Sequence, residues 1–433
     1  MATAADPSGQ APPRSLGAAD RLALLGACGL IGLIAVRFHN YQWDFNMFCW
    51  SADDFLHGLS PYKGQGLSFY HPPLTLFLYS LFQRIPFPFS YELWLSLKLA
   101  ALVGLFAIWS RRFLKLEASW PVTLYFVFAY NAALYADLVS GNVSTFEELG
   151  LWFAFASLLE GRYGRFCLCM ALVAQFKLTP IFLSCMLLVV PERRQWKWFA
   201  VCIGLFGALL CLNYVVEPAL TRDFFRVAPA LDERGTQSPG TLAFVRDALD
   251  MLRGPHFSDR SHVDELTFLA LATAVGLTSL VTVLRCRHSK IKPEPKLLVY
   301  FVCAAYTIIA PRMKAYSLIL LLIPTLHLLR LLPRRGLVPA TAAVLAALVV
   351  FPNGVSLLPF RALSQLFYEY LPLVAAFGVW LGFQRLLAAS STSEPWRIQG
   401  LSALLPGDGQ RVDRSVSTPK AARTASAGTT GTE

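Results

Sequence analysis

Charge is what this chain has least of. Asp, Glu, Lys and Arg make up 15% of its 433 residues and hydrophobic residues 55%. A soluble domain carries about 25% charged residues. The composition therefore excludes a water-soluble globule and predicts that most of the chain sits in lipid. The formal net charge is +11, yet no basic face on a soluble domain is present, which excludes a nucleic-acid role. None of the nine cysteines pairs at zinc spacing with histidines nearby, so no metal site is expected and no cofactor is called for. Those cysteines read as small packing residues of helices. No internal repeat is visible. The first apolar run has its small, cleavage-like residues inside it, so it reads as an uncleaved helix, not a signal peptide.

What the chain has in plenty is long apolar runs, at 21–38, 91–109, 121–138, 143–159, 198–216, 266–284, 297–309, 315–332, 337–351 and 371–387. Several approach the ~20 residues that cross a bilayer core. Backbone groups in lipid must bond within their own segment, which makes these runs helices. Basic clusters fall between them: Arg111, Arg112 and Lys115; Arg162 and Arg165; Arg193, Arg194 and Lys197; Arg285, Arg287, Lys290 and Lys292; Arg334 and Arg335. Positively charged loops stay cytoplasmic, which accounts for the net charge and predicts roughly 12 spans with both ends cytoplasmic. Residues 71–82 then form a re-entrant or short helix and 91–109 a span. Residues 166–190, basic at both ends, predict a hairpin with Lys177-Leu178-Thr179-Pro180 at its tip. The expected organisation is a disordered cytoplasmic N-terminus over 1–19, an all-α transmembrane domain over 20–388, and a disordered cytoplasmic tail over 389–433. That tail is rich in Ser, Thr, Ala and Gly and poor in apolar residues.

This topology lines one membrane face with chemistry. Residues 41–73 hold Asp44, Asp53, Asp54 and His71 among Trp43, Trp50, Tyr62 and Tyr70. Other loops on that face bring Asn142, Lys177, Arg312 and Lys314. Carboxylates act as bases and flat aromatic faces suit sugars. Glycosyl transfer from a lipid phosphate needs a base for the acceptor hydroxyl. It also needs cations where the departing phosphate gathers negative charge, a role open to Lys177, Arg312, Lys314 and His71. Each residue has a plainer reading. Asp44, Asp53, Asp54 and Asn142 suit helix caps, His71 an interface, Lys177 a snorkelling side chain, and Arg312 and Lys314 loop charges. Those last two lie on the outer face, against the positive-inside bias, which favours function. Two other classes stay open. A polytopic transporter or glycolipid flippase has the same hydropathy but places charges near the bilayer midplane on broken helices. A non-catalytic assembly protein for envelope glycans would tolerate loss of Asp44.

Several short motifs follow one another in a specific order. Asp44-Phe45 comes after the first helix, then Gly58-Leu59-Ser60-Pro61-Tyr62, then Tyr70-His71-Pro72-Pro73. Gly141-Asn142-Val143-Ser144 and Lys177-Leu178-Thr179-Pro180 come next. At these residues the chain resembles glycosyltransferase family 87, over residues 20–335. These are polytopic GT-C transferases that use polyprenyl-phosphate-mannose. The resemblance implies a GT-C helix bundle with short interfacial helices in the first outer loop. It implies a polyprenyl-phosphate-sugar donor, a lipid or glycan acceptor, and a cell-membrane enzyme with its site on the non-cytoplasmic side. Asp44 would be the catalytic base of an inverting transfer, with Tyr62, Tyr70, Asn142, Asp53 and Asp54 toward the substrates. Two departures stand out. Ser144 occupies the second Asn-like position of its turn, and Pro311-Arg312-Met313-Lys314 replaces a loop that often carries histidine or tryptophan.

Overall fold

The computed structural model describes residues 42–63, 69–87, 89–114, 120–228, 234, 238–253, 262–289, 292–331 and 361–390. The expected runs 21–38 and 337–351 and both termini lie outside the described residues. The described residues are helical, with no strand among them. Two short helices, α1 (Trp43–Leu56) and α2 (Leu74–Gln83), precede α3 (Phe89–Ile108), which leaves through a π-helical turn at Trp109–Phe113. Helices α4 (Trp120–Ser140), α5 (Ser144–Leu159) and α6 (Tyr163–Val173) are joined by three-residue turns. Connections that short make consecutive helices neighbours. Then come α7 (Thr179–Val189), which opens with 3-10 winding, α8 (Trp196–Val216), α9 (Pro218–Val227) and α10 (Thr241–Arg253). Helices α11 (Val263–His288), α12 (Pro295–Ile309), α13 (Ala315–Leu331) and α14 (Arg361–Ser390) complete the fold. Proline opens α7, α9 and α12. There its missing N–H costs nothing, because first-turn donors have no partner inside the helix.

Among the described residues, four helices are long and apolar enough to cross a membrane: Phe89–Phe113, Trp196–Val216, Val263–His288 and Glu369–Ala388. The other expected runs that fall on described residues yield shorter helices or, in α4, a broken one, for local reasons. Residues 166–190 break at the turn 174–178 that carries Lys177. The run 143–159 becomes a helix of 16 residues with Glu147 and Glu148 buried near its start. Within α4, Tyr130, Asn131 and Ala132 take positive φ. A left-handed turn costs L-residues roughly 1–2 kcal/mol each. Tyr130 is anchored there, its hydroxyl 2.5 Å from Thr325 Oγ1 on α13. Apolar side chains on α8 and α11 face outward: Leu212, Val215, Leu269 and Leu277 are all exposed. An apolar surface of that kind suits lipid, where helices satisfy their own backbones.

The interior polar site depends on how α1 is seated. Phe45 packs against Phe82, Tyr91 and Trp94, and Phe48 stacks on Tyr79 at 4.5 Å. These contacts fasten α1 to α2 and α3, and they hold the first turn of α1 in place. Each offset or edge-on ring pair adds about 0.5–1.5 kcal/mol beyond its buried area.

Candidate active site

Asp44 stands in the first turn of α1, and the α4–α5 turn closes onto it. Gly141 of that turn has φ 71°. A Cβ at Gly141 would come 2.6 Å from Phe45 Cβ and 3.3 Å from the Phe45 backbone nitrogen. The turn therefore touches the α1 backbone one residue past Asp44, and only glycine permits the approach. Trp94 Nε1 donates to the Gly141 carbonyl at 2.8 Å. Asn142 Nδ2 donates to Asp44 Oδ2 at 2.9 Å and to the Tyr316 hydroxyl at 3.0 Å. Its Oδ1 accepts from the Ser144 N–H at 3.1 Å and the Ser144 hydroxyl at 3.0 Å. A backbone N–H can only donate, so the amide oxygen faces Ser144 and the NH₂ faces Asp44. Gly141→Ala should separate the two segments. The left-handed backbone alone costs an L-residue roughly 1–2 kcal/mol. A lower melting temperature in detergent and slower turnover are expected. If neither moves, the contact is slack.

Burial raises the Asp44 carboxyl above its ordinary value. The Asn142 donor, Lys314, Ser140 and Lys98 pull it back down. The Tyr79 hydroxyl from α2 also faces it. A carboxylate lifted toward neutrality in this way is a better proton acceptor than one in water.

Lys177 reaches the same turn from the break between α6 and α7. Its Nζ donates to Ser144 Oγ at 2.9 Å, Ser317 Oγ at 3.1 Å and Glu147 Oε2 at 2.5 Å. It also sits 5.4 Å from the centre of the Tyr316 ring. Ser144 is thus shared, donating to Asn142 and accepting from Lys177, and a continuous chain of contacts joins Asp44 to Lys177. Arg312 lies over the Tyr70 ring at 4.3 Å. Charge–charge interactions place Lys177 and Arg312 near His71, and Lys314 near Asp44.

His71 differs from expectation. Burial drives its pKa down to about 3, Lys177 and Arg312 push the same way, and only the Phe176 carbonyl opposes them. A neutral imidazole results, edge-on to Phe48 at 5.1 Å. It offers a hydrogen bond where the sequence pattern predicts a cation. Tyr62 is buried, and its hydroxyl donates to the His71 carbonyl at 2.7 Å, so it supports the shell behind the site. Asp53 and Asp54 are not gathered with Asp44. They lie in the last turn of α1, about 14 Å along the helix axis at ~1.5 Å per residue. Asp53 accepts from Gln83 Nε2 at 3.2 Å. The Asp54 carbonyl takes the Leu59 N–H at 2.8 Å, closing the helix across Gly58.

Lys98, Asp137, Glu147, Tyr316 and Ser317 join this network without having been singled out from the sequence. Lys98 and Asp137 carried a signal, since each is an ionisable residue inside an apolar run. Tyr316 and Ser317 carried none.

Lipid-length apolar helices and one carboxylate wired to cations at helix ends define a membrane protein with a polar cluster among its helices. The model of glycosyltransferase family 87 matches residues 69–311, more than half of the chain, and the protein belongs to that family. It is a membrane glycosyltransferase, with a sugar donor and an acceptor as substrates. No curated protein gives a significant match to the chain. The matched region takes in Tyr70 to Pro73, Gly141 to Ser144 and Lys177 to Pro180, while Asp44, Arg312 and Lys314 lie outside it.

Proposed function

We propose that this glycosyltransferase moves a hexose, mannose on the family resemblance, from a polyprenyl-phosphate donor to a lipid or glycan acceptor on the non-cytoplasmic face. The observation that carries the reading is the chain of contacts from Asp44 through Asn142 and Ser144 to Lys177. It joins a half-buried carboxylate to a cation, the two groups that an inverting transfer from a lipid phosphate requires. Asp44 takes the acceptor hydroxyl's proton as that oxygen attacks the anomeric carbon. The sugar–phosphate C–O bond breaks, and its electron pair leaves with the phosphate. Lys177, Arg312 and Lys314 receive the developing charge, and His71 adds a neutral hydrogen bond. Tyr70 and Asn142 border the substrates. A single displacement with one base gives inversion without a covalent intermediate. A transporter's charges belong at the bilayer midplane on broken helices, whereas Lys177, Arg312 and Lys314 stand in the turns between helices.

Purified protein in lipid nanodiscs should transfer radiolabel from polyprenyl-phosphate-mannose to a lipid or glycan acceptor. Absence of transfer from every polyprenyl-phosphate hexose would overturn the reading.

The same proposal covers the architecture: a GT-C bundle of roughly 12 spans, its catalytic domain spanning residues 20–388. Helices α1 and α2 lie along the outer surface of the cell membrane. Trp43 and Trp50 on α1 are 56% and 57% exposed, as suits an aromatic belt at headgroup depth. Leu59, 59% exposed, and Arg162 should lie on opposite sides. In a cysteine-free background, Leu59→Cys should react with an impermeant maleimide added outside, and Arg162→Cys only after permeabilisation. Labelling of both from one side would refute this topology.

A further inference from the structure

A lysine in the middle of a lipid-length apolar helix needs a reason. Lys98 lies on α3 with its side chain 0% exposed. Burying an ammonium and its counter-ion costs several kcal/mol per ion, and well-packed apolar residues in their place are often neutral or stabilising. Stability alone therefore gives little reason for this pair.

Its geometry gives one. Lys98 Nζ is 2.8 Å from Asp137 Oδ2, 2.5 Å from the Asp137 carbonyl and 2.6 Å from the Asn142 carbonyl. An ammonium has three hydrogens, and each has an acceptor. The two carbonyls belong to the last turn of α4 and to the turn beyond it, where helix carbonyls lack intrahelical partners. The Asp137 carboxylate works on the other side of that turn. Oδ1 accepts the Ser144 N–H at 3.2 Å, and Oδ2 accepts the Thr145 N–H at 3.3 Å and the Thr145 hydroxyl at 2.5 Å. Those N–H groups open α5, where the helix dipole favours an anion. One ion pair thus holds both ends of the 141–143 turn, whose Asn142 side chain holds Asp44.

We propose that Lys98 and Asp137 form a positioning device for the general base, fixing the Asn142 amide against Asp44 and supplying it with nearby positive charge. The proposal rests on the general-base reading of Asp44. The groups facing that carboxylate are Lys98 from α3, Ser140 and Asn142 from α4 and its turn, Lys314 before α13, and Tyr79 from α2. Lys98→Met removes one of the two cations and untethers Asn142.

The test follows transfer kinetics against pH in purified Lys98→Met and in the charge-neutral double variant Lys98→Met/Asp137→Asn. Misplacement of a catalytic group by about 1 Å can cost on the order of a hundredfold. A fall in kcat of about ten- to a hundredfold is expected on that scale, with the donor KM little changed. Lys98 and Asn142 both favour ionised Asp44, so their loss makes it protonate at higher pH. The acid limb of kcat/KM should move to higher pH in both variants. The double variant, with no unpaired charge, should melt near wild type. A folded variant with the wild-type pH profile overturns the proposal, as does a rise in donor KM without displacement of the acid limb. Loss of folded protein in both variants assigns the pair to folding alone, which also overturns it. Asp44→Asn run alongside separates the two readings. If that variant still turns over, the general-base reading fails and this proposal falls with it. If it is inactive and the Lys98 variants keep their acid limb, only the positioning role fails.

Discussion

Asp44→Asn should insert, fold and bind donor, and turn over ~10²–10⁴-fold more slowly than wild type, the range for loss of one general base. The substitution keeps the side chain's shape. Its amide oxygen still accepts from Asn142 Nδ2, the contact that Asp44 Oδ2 makes at 2.9 Å. Phe45 still packs on Phe82, Tyr91 and Trp94, so the first turn of α1 stays seated. Only proton acceptance is lost. The donor KM should change little, because Lys177, Arg312 and Lys314 are untouched. The pH profile gives a second check. Burial lifts the Asp44 pKa above its ordinary value, and the base works only when ionised. Wild-type kcat/KM should therefore fall as pH drops through that raised value, and the variant should lack this acid limb. Turnover within about threefold of wild type would overturn the assignment.

Lys177→Ala should have the next largest effect, and it should show in two separate measurements. The first is stability. Glu147 sits 2.5 Å from Lys177 Nζ with its side chain 6% exposed. Removing one partner of a buried pair costs about 3–5 kcal/mol, because the other charge is left uncompensated. A sharp fall in melting temperature is expected. The second is kinetics, with a higher donor KM, a lower kcat, or both, as positive charge beside the phosphate is lost. Lys177→Met/Glu147→Gln separates the two. Neutralising both partners should restore the melting temperature and leave transfer impaired. Restored transfer in that double variant would make Lys177 a structural counter-ion and remove it from the phosphate site.

The sequence by itself determined the features that follow from local chemistry. Long apolar runs and few charges mean helices in lipid, and α3, α8, α11 and α14 stand where such runs were read. The run 166–190 breaks at 174–178, where Lys177 interrupts it. Motif order identified the family, since each motif is a short local pattern.

Contacts that depend on partners far along the chain were decided only by the tertiary structure. Asn142 meets Asp44 across 98 residues and Tyr316 across 174. Nothing local to either segment specifies those meetings. They follow from aromatic packing under α1 and from the close approach at Gly141. The motif Asp44-Phe45 set Asp44 apart as sequence but left Asp53 and Asp54 on the same substrate face. The pitch of α1 sets the first apart from the other two, and burial then makes its carboxyl a different acid. His71 reads as a cation beside prolines, yet enclosure by aromatic rings leaves it neutral. Lys98 and Asp137 look like flaws in apolar runs until the fold brings them together and turns two costly charges into one clamp. Desolvation and pairing act through space, so they select which of the polar residues visible in the sequence form the site.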